Sequence, residues 1–252
     1  MRIEQLEISE RFCGPPGIGS RGYVCGRGAS HLGPSVAVRL KAPAPLDTPL
    51  RLEVASEQAR LLHGDRLIAE AGPATLDLSA PEPVSLDDAT EAVGRYLGFT
   101  AHAFPRCFVC GPQREPGDGL RIFPGPIEAR SLVAAPWVPD ASLADGDGSV
   151  RPEFLWAALD CSGGFAVLPV PEGKAIVLGE LTVQLDAAIA QGEQCTVVGW
   201  SLGTEGRKRR AGSAVYDSGG KPIAVGQATW IEVDQSAFTS PDRAHEGMNG
   251  RG

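Results

Sequence analysis

Asp160 is the residue of this chain with the most chemistry to offer. It sits inside Leu155-Trp156-Ala157-Ala158-Leu159-Asp160-Cys161-Ser162-Gly163-Gly164, a run that is otherwise apolar or small. Aspartate is a poor mid-helix residue, and an unpaired carboxylate in apolar surroundings is costly. Such a group either bonds locally to its own helix or is held for use. In use it is a nucleophile or a base that activates water. Chemistry at a carbonyl also needs donors for the oxyanion that develops. Backbone N–H groups at a helix start qualify, because they are unpaired and lie at the positive end of the dipole. Arg21 and Gly22 open a run that reads as a short helix of small residues, with Cys25, Gly26, Gly28 and Ala29 behind them. Glycine is a poor helix former. Several in one helix predict close approach by another backbone or a ligand.

Other reactive groups are weaker candidates. Cysteines stand at 13, 25, 107, 110, 161 and 195, spread along the chain, and read as reduced thiols. Cys107-x-x-Cys110 is a lone pair, whereas a structural zinc usually takes four ligands. His102 could add a third, and Cys13 or Cys25 a fourth only if the fold brings them near. No metal or cofactor is expected. Cys161 and Ser162 read as packing, since no histidine in the motif could serve as their base. Arg207-Lys208-Arg209-Arg210 is the one dense basic run. It is either a phosphate cradle, since guanidinium matches phosphate geometry, or a solvated strand start. Tyr23, Trp156 and Phe165 either line a ligand tunnel or fill ordinary core. His31, His63 and His245 are isolated.

The elements that must position these groups repeat. Val36-Ala37-Val38-Arg39-Leu40 and Leu50-Arg51-Leu52-Glu53-Val54 have counterparts in Leu181-Thr182-Val183-Gln184-Leu185 and Cys195-Thr196-Val197-Val198-Gly199, both 145 residues on. Gly64-Asp65-Arg66-Leu67-Ile68-Ala69 matches Gly219-Gly220-Lys221-Pro222-Ile223-Ala224, 155 residues on. Identity is low, so the match rests on pattern and spacing. In the first half a short strand at 3–9, the helix from Arg21 to Ser30, and strands at 35–43, 49–62 and 66–79 are expected. In the second, a strand at 129–137, a helix from Pro152 to Leu168, and strands at 175–186, 193–205, 207–217 and 222–234 follow. Pro152 suits the first helical position, where its missing N–H has no partner anyway. Between the halves, Ser85 caps a possible helix over Leu86–Tyr96, with Asp88 as its partner. The resulting division is 1–80, a linker at 81–106, 107–234, and a disordered tail over 235–252.

Composition narrows the function. Net charge is −8, which argues against a nucleic-acid partner. No apolar run approaches the roughly 18 residues of a membrane span, and Met1-Arg2-Ile3-Glu4-Gln5 has no signal core. A soluble, cytoplasmic protein is expected.

The order of elements resembles an α+β double hotdog, two antiparallel sheets each wrapped around a central helix, of the acyl-CoA thioesterase type. Cys107-Phe108-Val109-Cys110-Gly111-Pro112 followed by Gly119-Leu120-Arg121-Ile122-Phe123 is similar to the opening of phenylacetyl-CoA-thioesterase-like proteins. Leu155 to Gly164 resembles that family's central helix, whose leucine/alanine run ends in the catalytic aspartate. Ser20-Arg21-Gly22-Tyr23-Val24 is similar to the His-Gly-Gly start of the same helix. The family's His-Gly-Gly becomes Arg151-Pro152-Glu153 in the second half and Ser20-Arg21-Gly22 in the first.

In the family, as the resemblance implies, the acid and the helix-start amide come from opposite protomers. Here each half lacks one part. The second helix has Asp160 but starts with proline, which has no N–H to give. The first has the Arg21 and Gly22 amides but carries Ala29 or Ser30 where the acid would stand. The expectation is one composite site per chain, with Asp160, Gly22 and Arg21 catalytic. Tyr23 and Trp156 would contact the acyl chain, and Arg207, Lys208 and Arg209 the phosphates of coenzyme A. The implied activity is hydrolysis of an acyl-CoA or acyl-carrier thioester. The alternative is a non-catalytic acyl-CoA or acyl-carrier binding module. A hotdog dehydratase ranks last, because no histidine lies suitably near Asp160. Pairing of two chains into a homodimer of double hotdogs is compatible with this reading.

Overall fold

Mirrored strand order organises the molecule. In the computed structural model, which describes residues 1–238, the first half runs β1 (Arg2–Leu6), α1 (Arg21–Ala29), β2 (Ser35–Leu40), β3 (Leu50–Ala55), β4 (Gln58–His63) and β5 (Arg66–Pro73). After α2 (Leu86–Val93), the second runs β6 (Gly125–Ile127), β7 (Leu132–Trp137), α3 (Pro152–Phe165), β8 (Lys174–Leu185), β9 (Cys195–Glu205), β10 (Lys208–Tyr216) and β11 (Pro222–Asp234). The strands form one antiparallel sheet in the order β1-β3-β4-β5-β2-β8-β11-β10-β9-β7-β6. Read outward from the β2–β8 seam, the halves match strand for strand, with the short β6 added at one edge.

The expectation of two separate sheets is corrected at that seam. Val36 pairs with Val183 and Val38 with Leu181. By the 145-residue offset Val36 corresponds to Leu181 and Val38 to Val183, so the register is the one a two-fold through Ala37 and Thr182 demands. Joining two edges satisfies backbone groups that would otherwise stay unpaired, and all four apolar side chains are buried. The core is likewise continuous across the halves, linking Leu50 and Leu52 with Leu181 and Val197.

Strand 49–62 is also revised. It is a hairpin, β3 and β4, broken where Ser56 takes a positive φ of 54°. Ala55-Ser56-Glu57-Gln58 lacks the glycine, asparagine or proline that usually marks such a turn. The cap at Ser85 forms: its hydroxyl accepts from the Asp88 N–H at 3.1 Å and donates to the Asp88 carboxylate at 2.6 Å. The helix it starts ends at Val93, short of Tyr96. Segment 76–93 covers the outer face of the second half, with Val84 and Ala89 against Leu132, Ala134, Val198 and Tyr216.

α3 is buried along Phe154–Gly164 without a solvent face, because strands β8 to β11 wrap one side and α1 covers another. The tail begins with a short 3-10 turn over Gln235–Phe238. The rest of the tail expected to be disordered lies outside the described residues.

Candidate active site

α1 and α3 cross as an antiparallel pair, and glycines set their separation. A Cβ on Gly22 would lie 2.4 Å from Asp160 Cβ and 2.9 Å from the Trp156 carbonyl oxygen. One on Gly26 would lie 2.5 Å from Glu153 Cα. The small-residue face of α1 therefore meets a backbone.

At this crossing the two halves exchange a hydrogen bond. The Gly22 N–H donates to Asp160 Oδ2 at 2.7 Å. Asp160 is 4% exposed, and its Oδ1 has no hydrogen-bond partner among the described residues. Burial pushes its pKa up to about 7, the charge of Cys107 adds to the rise, and the Gly22 N–H and Arg21 oppose it. Arg21 stands beside it. Its Nη1 donates to the Leu178 carbonyl at 2.9 Å, while Nε is buried with no partner among the described residues. Burial lowers the Arg21 pKa, against the pull of Asp160. One buried acceptor and one buried donor, one from each half, thus remain without a partner among the described residues.

Both residues line a cavity of about 590 Å³. Its wall is largely apolar, with Phe104, Phe165, Leu178 and Trp230 prominent, and Cys107, Cys110 and Cys161 lie on it near Asp160. A mainly apolar cleft with a few convergent polar groups is the usual form of a small-molecule site.

The other residues singled out by sequence lie elsewhere. Gly22 is behind the wall, with its amide given to Asp160. Tyr23 is 2% exposed and stacks on Phe12 with ring centroids 4.3 Å apart, in a cluster with Phe108 and Phe154. Trp156 is buried against α1. Neither is among the residues that line the cavity, whereas Phe165 is.

Arg207 and Lys208 are exposed near the β9–β10 turn. Arg209 is pinned by Glu232 at 2.5 Å and by the Val167 carbonyl at 2.8 Å. It pairs in register with Trp230 of the cavity wall, so the basic run begins beside the cavity rather than inside it.

Sequence reasoning left two groups out of the site. Cys161 completes a cluster with Cys107 and Cys110, and its place next to Asp160 was the available signal. His102 is on the wall, with both ring nitrogens engaged. Nδ1 accepts from the Phe104 N–H at 2.9 Å, and Nε2 lies 3.1 Å from the Cys110 carbonyl oxygen. Burial lowers its pKa. These contacts fix a neutral ring that donates through Nε2, so His102 is not free to be the third metal ligand considered from the sequence.

A central helix in each half, wrapped by mirrored strands joined at one seam, defines a hotdog fold. No protein-family model matches the chain, and no curated protein matches its sequence. Solved structures do match. The tesB protein of Mycobacterium avium subsp. paratuberculosis superposes with a TM-score of 0.61 at 12% identity, over 92% of this chain and 93% of that one. The acyl-CoA thioesterase II TesB2 of Mycobacterium marinum gives 0.56 at 11% identity, over 94% of each chain. At such identities the likeness shows the fold. Among the described residues no helix is long and apolar enough to cross a membrane.

Proposed function

We propose that this chain hydrolyses acyl thioesters at one composite site, with the acyl group in the cavity. The observation that carries the reading is Asp160 itself. It is a buried carboxylate with one oxygen oriented across the halves by the Gly22 N–H and the other unpartnered at an apolar wall. The fold shared with thioesterases supports it by analogy only.

In this mechanism Asp160 Oδ1 takes a proton from water, and the hydroxide adds to the thioester carbonyl carbon. The Arg21 main chain and guanidinium, on the same wall, hold the oxyanion. The C–S bond breaks as the tetrahedral intermediate collapses, and the proton on Asp160 passes to the leaving thiolate. Gly22 acts by positioning the carboxylate. Arg207 and Lys208, exposed near the β9–β10 turn, meet the phosphates of coenzyme A or a carrier-bound phosphopantetheine.

The test is coenzyme A release, followed by chromatography, across short, long and aromatic acyl-CoAs. Asp160→Asn keeps the shape and an acceptor for Gly22 but removes the base. Turnover is expected to fall by about 10² to 10⁴-fold with binding retained. Binding without turnover in the wild type would replace this reading with the non-catalytic acyl-CoA module.

A further inference from the structure

The three cysteines on the cavity wall form a cluster that the proposed hydrolysis does not use. Cys110 Sγ lies 3.1 Å from Cys161 Sγ, and Cys107 Sγ lies 3.8 Å from it. All three sulfurs fall within 4.8 Å of one another, and all three residues are buried. Zinc–sulfur bonds of about 2.3 Å in a tetrahedron put sulfurs roughly 3.8 Å apart, so only small shifts separate this arrangement from a zinc-bound one.

The backbone is built for it. Gly111 closes the Cys107-x-x-Cys110 turn by donating to the Cys107 carbonyl at 2.9 Å. A Cβ there would sit 2.5 Å from that oxygen, so only glycine fits. Tyr96 Oη donates to the Cys110 carbonyl at 2.7 Å, and His102 holds the same oxygen.

We propose that Cys107, Cys110 and Cys161 bind one thiophilic divalent cation, zinc, with its fourth position left to a small ligand from the cavity. Three thiolates select zinc over magnesium or calcium. Three protein ligands plus one exchangeable position is the pattern of reactive rather than closed structural zinc sites. The site stands on the sulfur geometry and does not depend on thioesterase activity.

The reduced full-length chain, stripped with chelator, is titrated with cobalt(II). One equivalent is expected to give an intense thiolate-to-cobalt charge-transfer band in the near ultraviolet, and zinc should abolish it. Cys161→Ser is expected to weaken cobalt binding more than the 10 to 100-fold typical of losing an outer-shell group. Cys25→Ser and Cys195→Ser leave it unchanged. If the cluster variants fail to fold, X-ray absorption on the zinc-loaded wild type decides, with three sulfurs expected at about 2.3 Å.

No charge-transfer band in the reduced wild type, or a first shell of nitrogen and oxygen, overturns the site. A Cys110–Cys161 disulfide in protein that binds no metal after reduction also overturns it, in favour of a redox pair.

Discussion

The two helix ends that symmetry makes equivalent have opposite contents. At one, Asp160 of α3 meets the amide of Gly22 on α1, beside the cavity. At the other, Ala29 stands in the acid's place on α1, and α3 begins Arg151-Pro152-Glu153. Pro152, the counterpart of Arg21 at the first helical position, offers no N–H. Glu153 packs under Gly26, and Arg151 lies over the Phe154 ring at 4.8 Å from its centroid. Two identical subunits would be bound to keep both ends alike. One chain carrying both halves is free to keep the reacting groups at one end and make the other an ordinary helix contact.

The largest effect should come from Asp160→Asn. Beyond the lost turnover, it is expected to unfold at the same temperature as the wild type or higher, measured by calorimetry. Asparagine still accepts from Gly22 while removing a carboxyl whose ionised form is costly to bury. A strongly destabilised Asp160→Asn would mean that the carboxylate serves the fold, and the contrast between the ends would lose its functional meaning.

Gly22→Ala and Gly26→Ala separate chemistry from packing. Each adds a methyl to the same helix crossing, at 2.4 Å from Asp160 Cβ and 2.5 Å from Glu153 Cα. Both should cost about 1–3 kcal/mol by denaturant titration, as overpacking does. Only Gly22→Ala displaces the carboxylate, and a shift near 1 Å can cost about 10²-fold in rate. Equal activity losses in the two variants would show that the crossing matters as a whole.

Much of this asymmetry could be read before the structure was in view. The 145-residue offset marked β2 and β8 as equivalent strands; that they pair, in the register a two-fold demands, is shown by the structure. Asp160 stood out because a carboxylate in an apolar run demands a reason, and Arg21 because a helix start offers donors. What failed to show depended on direction or on distant neighbours. Tyr23 and Trp156 are aromatic whether they face a cavity or a core, and period alone does not say which. Cys161 joins Cys107 and Cys110 only because α3 passes the turn they sit on. The edges of β2 and β8 read as ordinary strands, and nothing local marks them as partners. Ser56 supplies a left-handed turn residue without the glycine that would have announced it.

Ala29→Asp places an acid at the end that lacks one. Ala29 is 7% exposed, so the new carboxylate is buried opposite a helix start whose first residue is proline. A loss of about 2 kcal/mol is expected, within the usual cost of burying an unpaired polar group. Turnover should not rise, and should still vanish with Asp160→Asn. Activity recovered in the double variant would show that the second end needs only its acid.

The smallest effect belongs to the ion pairs around the end of α1. His31 Nε2 lies 2.6 Å from Glu4 Oε2, and Arg27 Nη2 lies 3.7 Å from Glu4 Oε1, which ties the end of α1 to β1. His31 is the main cause of a lowered Glu4 pKa. A carboxyl with a depressed folded-state pKa adds stability above its unfolded value and loses it as pH falls through the folded one. Glu4→Gln should therefore cost about 1 kcal/mol or less near neutral pH, as partly exposed pairs do. The difference from wild type should close in acid below the carboxylate range, and thioester turnover should be unaffected. A variant that loses turnover would place the Ala29 end in communication with Asp160, and the two ends could no longer be treated as independent.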